Sequence, residues 1–389
     1  MPTAPTDGAP FLEGVRVLDL SRVLAGPLAT LILADLGAEV LKVEAPSGDA
    51  TRGWGPPFAR DGEAAYFHSI NRDKASLVLD LRTGPARRRL ARLAGRADVV
   101  VHNWTPAAAE RLGVGEILTA AAEGAVVLGV TGYRGERKEE AGYDLVLQAE
   151  AGWMGITGPT EGDPHRVGVA VVDVLTGMLA SAGILAALFR RERRGGGALL
   201  GVSLFQTALF SLVNVTQAHL SSGQPSRRWG NRHPNLAPYE LFRAADGALV
   251  IGVGTDRQYE ALLDLLAIRN GELRGLDNAG RVAHREALAA AITGAVADRG
   301  RDELLEALRD ERIPAGPVLA PHEAIASVLT WDPGALLAFE HETLAGEPGR
   351  LEYLASPLEG SGLAHSHTPP PALGEGGEER AARWLGKKA

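Results

Sequence analysis

The chain has 389 residues, 45% of them hydrophobic and 23% charged, with 48 glycines, a formal net charge of −8 and no cysteine. That length exceeds what one core ordinarily fills and predicts two domains with a cleft between them, and the composition excludes a largely disordered chain. The missing cysteine excludes disulfides, thiolate metal sites and thiol nucleophiles, and the negative charge argues against nucleic acid as a partner, so a cytoplasmic protein is expected.

Residues 1–10 lack a basic stretch followed by an apolar core and do not read as a secretory signal. Residues 15–20 read as a strand, 21–27 as a turn, the segment to Leu36 as a helix closed by Gly37, and 39–43 as a second strand. This is the strand–helix–strand unit of parallel α/β sheets. Residues 77–81, 98–101 and 125–130 supply further strands, with helical patterns at 87–93 and 107–112, so an open mixed or parallel sheet follows. Helices are predicted over 142–152 and 173–191, and a glycine run at 195–197 leads into another strand and helix through Leu212. The uncharged run 174–189 includes Thr176 and Ser181 and ends at Arg190-Arg191; it reads as a core helix, not a membrane span. Residues 223–238, rich in Gly, Pro, Asn and Arg, have the composition of a domain boundary or of an ordered functional loop. Beyond them, strands at 239–242 and 249–253 flank Asp246-Gly247 as a hairpin, and helices at 259–266, 285–296 and 301–309 complete a smaller α+β unit. A proline-rich segment at 368–371 precedes a last helix at 378–385 that should pack on the first domain. The expected division is a large domain over 1–222, a small one over 223–328, and a C-terminal segment, 329–389, returning to the large domain.

Asp173 stands where the strand-like run 166–172 meets the long apolar helix. There the helix N-terminus offers free N–H groups and the positive end of a dipole, which would keep a poorly hydrated carboxylate ionised and usable as a nucleophile. The same position suits a plain N-cap, and the local residues leave both readings open. Gly142-Tyr143-Asp144 starts another helix with an acid in its first turn. Asn71-Arg72-Asp73-Lys74 and Asn103-Trp104-Thr105-Pro106 follow apolar segments with polar residues suited to a phosphate or a base, or to an ordinary loop. The turn after the first strand lacks the Gly-x-Gly-x-x-Gly fingerprint, which argues against a nicotinamide cofactor. The ten histidines show no metal-ligand spacing, His365 and His367 lying in an expected surface tail, so no bound metal is predicted.

Taken in order, these pieces resemble the class III CoA-transferase family, also called the CaiB/BaiF or formyl-CoA transferase family. The resemblance spans almost the whole chain. It rests on Gly14-Val-Arg-Val-Leu-Asp-Leu-Ser-Arg-Val-Leu-Ala-Gly-Pro27, Leu36-Gly-Ala-Glu-Val-Leu-Lys-Val-Glu44, Gly48-Asp-Ala-Thr-Arg-Gly-Trp54, Asn71 to Lys74, Asn103, Arg111, Gly142-Tyr-Asp144, residues 167–177, Ile313-Pro-Ala-Gly-Pro317 and Leu373-Gly-Glu375. The resemblance implies a Rossmann-like large domain built from both chain ends, a small inserted domain, and two interlocked copies. It also implies an acyl-CoA and a small carboxylic acid as substrates, with neither metal nor nicotinamide, and no nucleic acid or membrane partner. It places the nucleophile on Asp173 and the coenzyme A contacts on Leu24, Ala25, Asn71, Arg72, Asp73, Lys74, Asn103, Trp104, Thr105, Arg111, Ala141, Gly142, Tyr143 and Asp144. Where the family often carries basic residues, this chain has Ala45 and Ala75, and the family's glycine-rich active-site loop is not recognisable.

The implied chemistry passes an acyl group to the Asp173 carboxylate, returns coenzyme A to the aspartyl carbon as a thioester, and repeats the exchange with an acceptor acid. The α-methylacyl-CoA racemases of the same family carry a histidine at the position of Tyr143; a phenol is a weak base at neutral pH, which favours the transferase. A non-catalytic acyl-CoA-binding protein is the reading from another class. Arg227, Arg228, Asn231, Arg232 and His233 form a cationic loop that could pair with the second carboxylate of a dicarboxylic substrate.

Overall fold

The computed structural model describes residues 8–59, 61–342, 348–364 and 366–386. The chain forms two compact units, one of Met1–Trp153, Arg166–Gln224 and Asp332–Ala389, the other of Met154–His165 and Pro225–Trp331.

The first unit is built on strands β1 (Arg16–Leu20), β2 (Glu39–Glu44), β3 (Lys74–Val78), β4 (Val99–His102), β5 (Val126–Thr131) and β6 (Ala198–Ser203), with helices α1 (Ala25–Asp35), α2 (Ala65–Asn71), α3 (Gly84–Ala94), α4 (Pro106–Leu112), α5 (Gly115–Ala121), α6 (Asp144–Glu150), α8 (Val171–Arg194), α9 (Leu204–Phe210) and α10 (Val213–Ser222), while the short α7 (Trp153–Ile156) passes from this unit's last residue before the boundary into the second unit. All strand pairs are parallel, in the order β3-β2-β1-β4-β5-β6. This is the doubly wound order, whose direction of winding reverses between β1 and β4. The strands read as near-continuous Val/Leu runs because helices cover both faces. Val17, Val40, Val99 and Val126 join one buried cluster with Leu33 and Ile184, and Leu18, Leu41, Val100 and Val127 join another with Leu90 and Trp384.

Helix α8 buries a stripe of Val172, Thr176, Gly177, Ala180, Ser181, Ile184 and Ala187, the i, i+4 spacing of one helical face. A β-carbon on Gly177 would lie 2.7 Å from the Ala25 carbonyl oxygen, so α1 and α8 approach this closely only because position 177 is glycine. By length and composition α8 could cross a membrane; here its striped face packs in the core while Met178, Leu179 and Phe189 stay exposed. The strand-like run expected over 166–172 instead has no regular structure up to Ala170 and then enters α8.

The second unit carries β7 (Tyr239–Ala244), β8 (Gly247–Gly252), α11 (Asp256–Leu265), α12 (Asn278–Ala283), α13 (Arg285–Val296), α14 (Arg301–Asp310), β9 (Ala315–Pro317) and α15 (Pro321–Val328). The three strands form an antiparallel sheet, with β7 and β8 joined at Asp246-Gly247 as the hairpin signal predicts. Returning to the first unit, β10 (Leu336–Glu342) and β11 (Pro348–Leu354) form an antiparallel pair, and α16 (Gly377–Trp384) sets Ala381 and Trp384 into the core beside β2 and β3.

Candidate active site

In doubly wound sheets, ligands sit beyond the carboxyl ends of the strands at the winding reversal. Two cavities of the first unit open there, about 270 Å³ and 520 Å³ in volume, and share Arg22, Trp104 and Ala108. The smaller is walled by residues that follow β1, β4 and β5, by Ala141, Gly142 and Tyr143 before α6, and by Asp173. The larger is walled by residues that follow β2 and β3, by Trp104 and by Arg111.

Asp173 occupies the first turn of α8 and does not cap it. The cap comes from another element. The Asp144 carboxylate, at the start of α6, accepts from the N–H groups of Val172 at 2.8 Å and Asp173 at 3.3 Å, and its second oxygen accepts from the Gln148 amide at 2.5 Å. The Gln148 carbonyl oxygen in turn accepts from Val167 N–H at 2.8 Å, tying the approach to α8 onto α6. Sequence reasoning expected the helix terminus to hold Asp173 ionised. Burial, reinforced by the neighbouring Asp144 charge, instead pushes Asp173 up to about 7, because those N–H groups are spent on Asp144 and leave desolvation to dominate. Close to neutrality the group therefore exchanges between acid and carboxylate.

The loop after β1 is anchored from below. Lys42 donates to the Ser21 carbonyl at 2.9 Å and pairs with Asp49 at 3.0 Å; Lys74 pairs with Asp19 at 3.1 Å and donates to the Pro27 carbonyl at 2.8 Å. Burial works against ionisation of Asp19, but Lys74 and Lys42 outweigh it and hold its carboxyl at about 2. These ties hold Val23 at φ 73°, a left-handed conformation costly for a β-branched residue, while its N–H points at Asp49. Asn103 grips the Arg22 backbone twice, accepting from N–H at 3.2 Å and donating to the carbonyl at 2.8 Å. Trp104 stacks on His102, centroids 5.8 Å apart, and burial holds that imidazole down at about 4, so it is neutral under the indole. Thr105 caps α4 by accepting from Ala108 N–H.

Among the residues singled out by sequence, Ala25, Asn103, Trp104, Thr105, Ala141, Gly142, Tyr143 and Asp173 come together around the smaller cavity, and Arg111 lines the larger. Tyr143 is largely exposed at its edge. Leu24 is buried beneath, and Asp144 is turned to the α8 terminus. Asn71, Arg72, Asp73 and Lys74 line neither cavity, because their polar groups are satisfied internally. Asn71 accepts from Lys74, Arg72 bridges Asp35 and Asp73, and Asp73 meets His367 and Thr368. Arg72 thus lies at the point where Asp35, Asp73 and His367 converge closely enough to hold a cation. His367 is packed against Asp73 and is not part of a loose tail; His365 lies outside the described residues.

In the second unit, the cationic loop is already engaged. Arg228 donates to the Pro159 and Gly162 carbonyls, Arg232 pairs with Glu240 and Glu286, and the His233 ring accepts from Asn235 N–H beside Tyr239. Asn231 is exposed. Arg22, Val23 and Asp49, which stand within the motifs that carry the resemblance, and Arg82, which does not, were given no site role by sequence; the signal that could have found them is position, beyond the carboxyl ends of predicted strands.

The family model of CoA-transferase family III matches residues 12–376. A mouse protein named succinyl-CoA:glutarate CoA-transferase is 35% identical, over 96% of this chain and 86% of its own length. One from Agrobacterium fabrum, named succinate–glutarate CoA-transferase, is 39% identical over 87% of this chain and 88% of its own. The crystal structure of a CaiB/BaiF family protein from Brucella suis superposes with a TM-score of 0.82 at 35% identity, covering 97% of this chain and all of that one.

Proposed function

The chain belongs to CoA-transferase family III, and on that premise we propose that it moves coenzyme A between dicarboxylic acids through the carboxylate of Asp173. The observation that carries this reading is a desolvated carboxyl group facing a small cavity that adjoins a larger one containing Arg82 and Arg111. The larger cavity suits the phosphate-bearing end of the coenzyme, and the smaller suits the thioester. The names of the mouse and Agrobacterium relatives support succinate- and glutarate-sized acids.

In its ionised form Asp173 attacks the thioester carbonyl, forming the aspartyl–acyl anhydride and releasing the coenzyme thiolate. The thiolate then attacks the aspartyl carbon, which frees the donor acid and leaves an aspartyl thioester. The acceptor carboxylate displaces the thiolate to give a second anhydride, and thiolate attack on the acceptor's carbonyl carbon restores the Asp173 carboxylate. No bond energy is lost to water in these exchanges. The N–H groups of Ala141, Gly142 and Tyr143 have no partner among the described residues and border the same cavity, a placement suited to the oxyanion of each tetrahedral intermediate.

Incubation with succinyl-CoA and hydroxylamine should convert Asp173 to a hydroxamate detectable by mass, and Asp173→Ala should lower exchange by about 10,000-fold. Exchange at the wild-type rate in Asp173→Ala would exclude this mechanism. We further propose that two copies interlock, supported by the apolar side chains that the first unit leaves in solvent.

A further inference from the structure

A dicarboxylate presents one carboxyl group for reaction and carries a second charge that the site must accommodate. The cationic loop of the second unit offers poorer candidates, since the guanidinium groups of Arg228 and Arg232 are held by carbonyls and carboxylates and that of Arg227 lies over the Trp229 ring. Among the described residues lining the smaller cavity, Arg22 is the one cation, and Glu140 at the same wall is held by Arg137. The main chain of Arg22 is fixed on both sides by Asn103, while its guanidinium has no hydrogen bond or ion pair among the described residues. The arginine therefore has a rigid base and a free head.

We propose that Arg22 binds the distal carboxylate of the dicarboxylic substrate and so sets the preference for diacids over monoacids; this rests on the transferase reading above. Three observations support the assignment. Arg22 faces the cavity of Asp173 yet makes no ion pair with it, leaving the reacting carboxylate free and the guanidinium displaced from it. The larger cavity, which Arg22 also borders, has Arg82 and Arg111 for phosphates, and the part of the coenzyme next to the thioester is uncharged, so Arg22, standing where the two cavities meet, is left for the substrate's second charge. A guanidinium also matches a carboxylate in two parallel hydrogen bonds, which an ammonium group cannot do.

The test compares glutarate with its monoamide as acceptors from succinyl-CoA. The wild-type protein should favour glutarate, measured as kcat/KM, by roughly 10- to 100-fold, the worth of a charge-assisted pair. Arg22→Gln should reduce that ratio to near one, and Arg22→Lys should retain part of it. If Arg22→Gln slows both acceptors equally and raises KM for the acyl-CoA, the residue serves the coenzyme and the proposal is overturned. A normal wild-type ratio that survives Arg22→Gln overturns it as well. If the wild-type protein transfers to neither acceptor, the transferase reading itself fails, and hydroxamate formation at Asp173 from succinyl-CoA alone separates that outcome from loss of acceptor selectivity.

Discussion

At the scale of single residues, two carboxylates do opposite work. Asp144 accepts three hydrogen bonds and caps α8, whereas Asp173 is desolvated beside it. On the proposed mechanism the ionised form of Asp173 attacks, so kcat/KM for the acyl-CoA should fall as pH drops through about 7, the value to which burial and Asp144 raise this group. Asp144→Asn keeps an oxygen for the helix N–H groups but removes the neighbouring charge, so it should move that acidic limb to lower pH. A pH–rate profile with the limb unmoved would show that burial alone sets it. Asp173 was legible in the sequence as a carboxylate at a helix start. Its partner was not, since the two lie 29 positions apart and only the packing of α6 on α8 brings them together.

At the scale of elements, the cavity wall depends on two loops touching backbone to backbone. A β-carbon on Gly132, after β5, would lie 2.5 Å from the amide nitrogen of Gly142, before α6. Gly132→Ala should therefore displace the 141–143 loop, lowering stability by about 1–3 kcal/mol and reducing kcat/KM together, as read by thermal unfolding and steady-state exchange. An unchanged melting temperature would mean that the loops separate freely. The same scale explains the misplaced third strand. Apolar residues 77–81 drew the prediction, yet β3 pairs with β2 from Val40↔Lys74 to Glu44↔Val78. Lys74 and Ser76 pass into the sheet interior because Asp19 and Glu44 meet them there, and hydropathy does not register partners across strands.

At the scale of the whole molecule, the first unit leaves apolar surface uncovered. Helix α10 buries none of its residues, and Phe210, Val213 and Leu220 are 79%, 68% and 76% exposed. Light scattering should give twice the chain mass of 40.9 kDa, and Phe210→Asp should shift the protein towards the single-chain mass. A wild-type mass of one chain would refute the interlocked pair. The α/β class, the parallel strand–helix alternation and the presence of a carboxylate at the start of α8 follow from sequence alone, because periodicity and motif order are local properties read along the chain. The capping of α8 by Asp144, the raised affinity of Asp173 for its proton, the internal use of Asn71 to Lys74 and the free guanidinium of Arg22 were decided only by tertiary structure. Burial and charge pairing depend on which distant groups the fold sets within a few ångströms, and no window of sequence contains that distance.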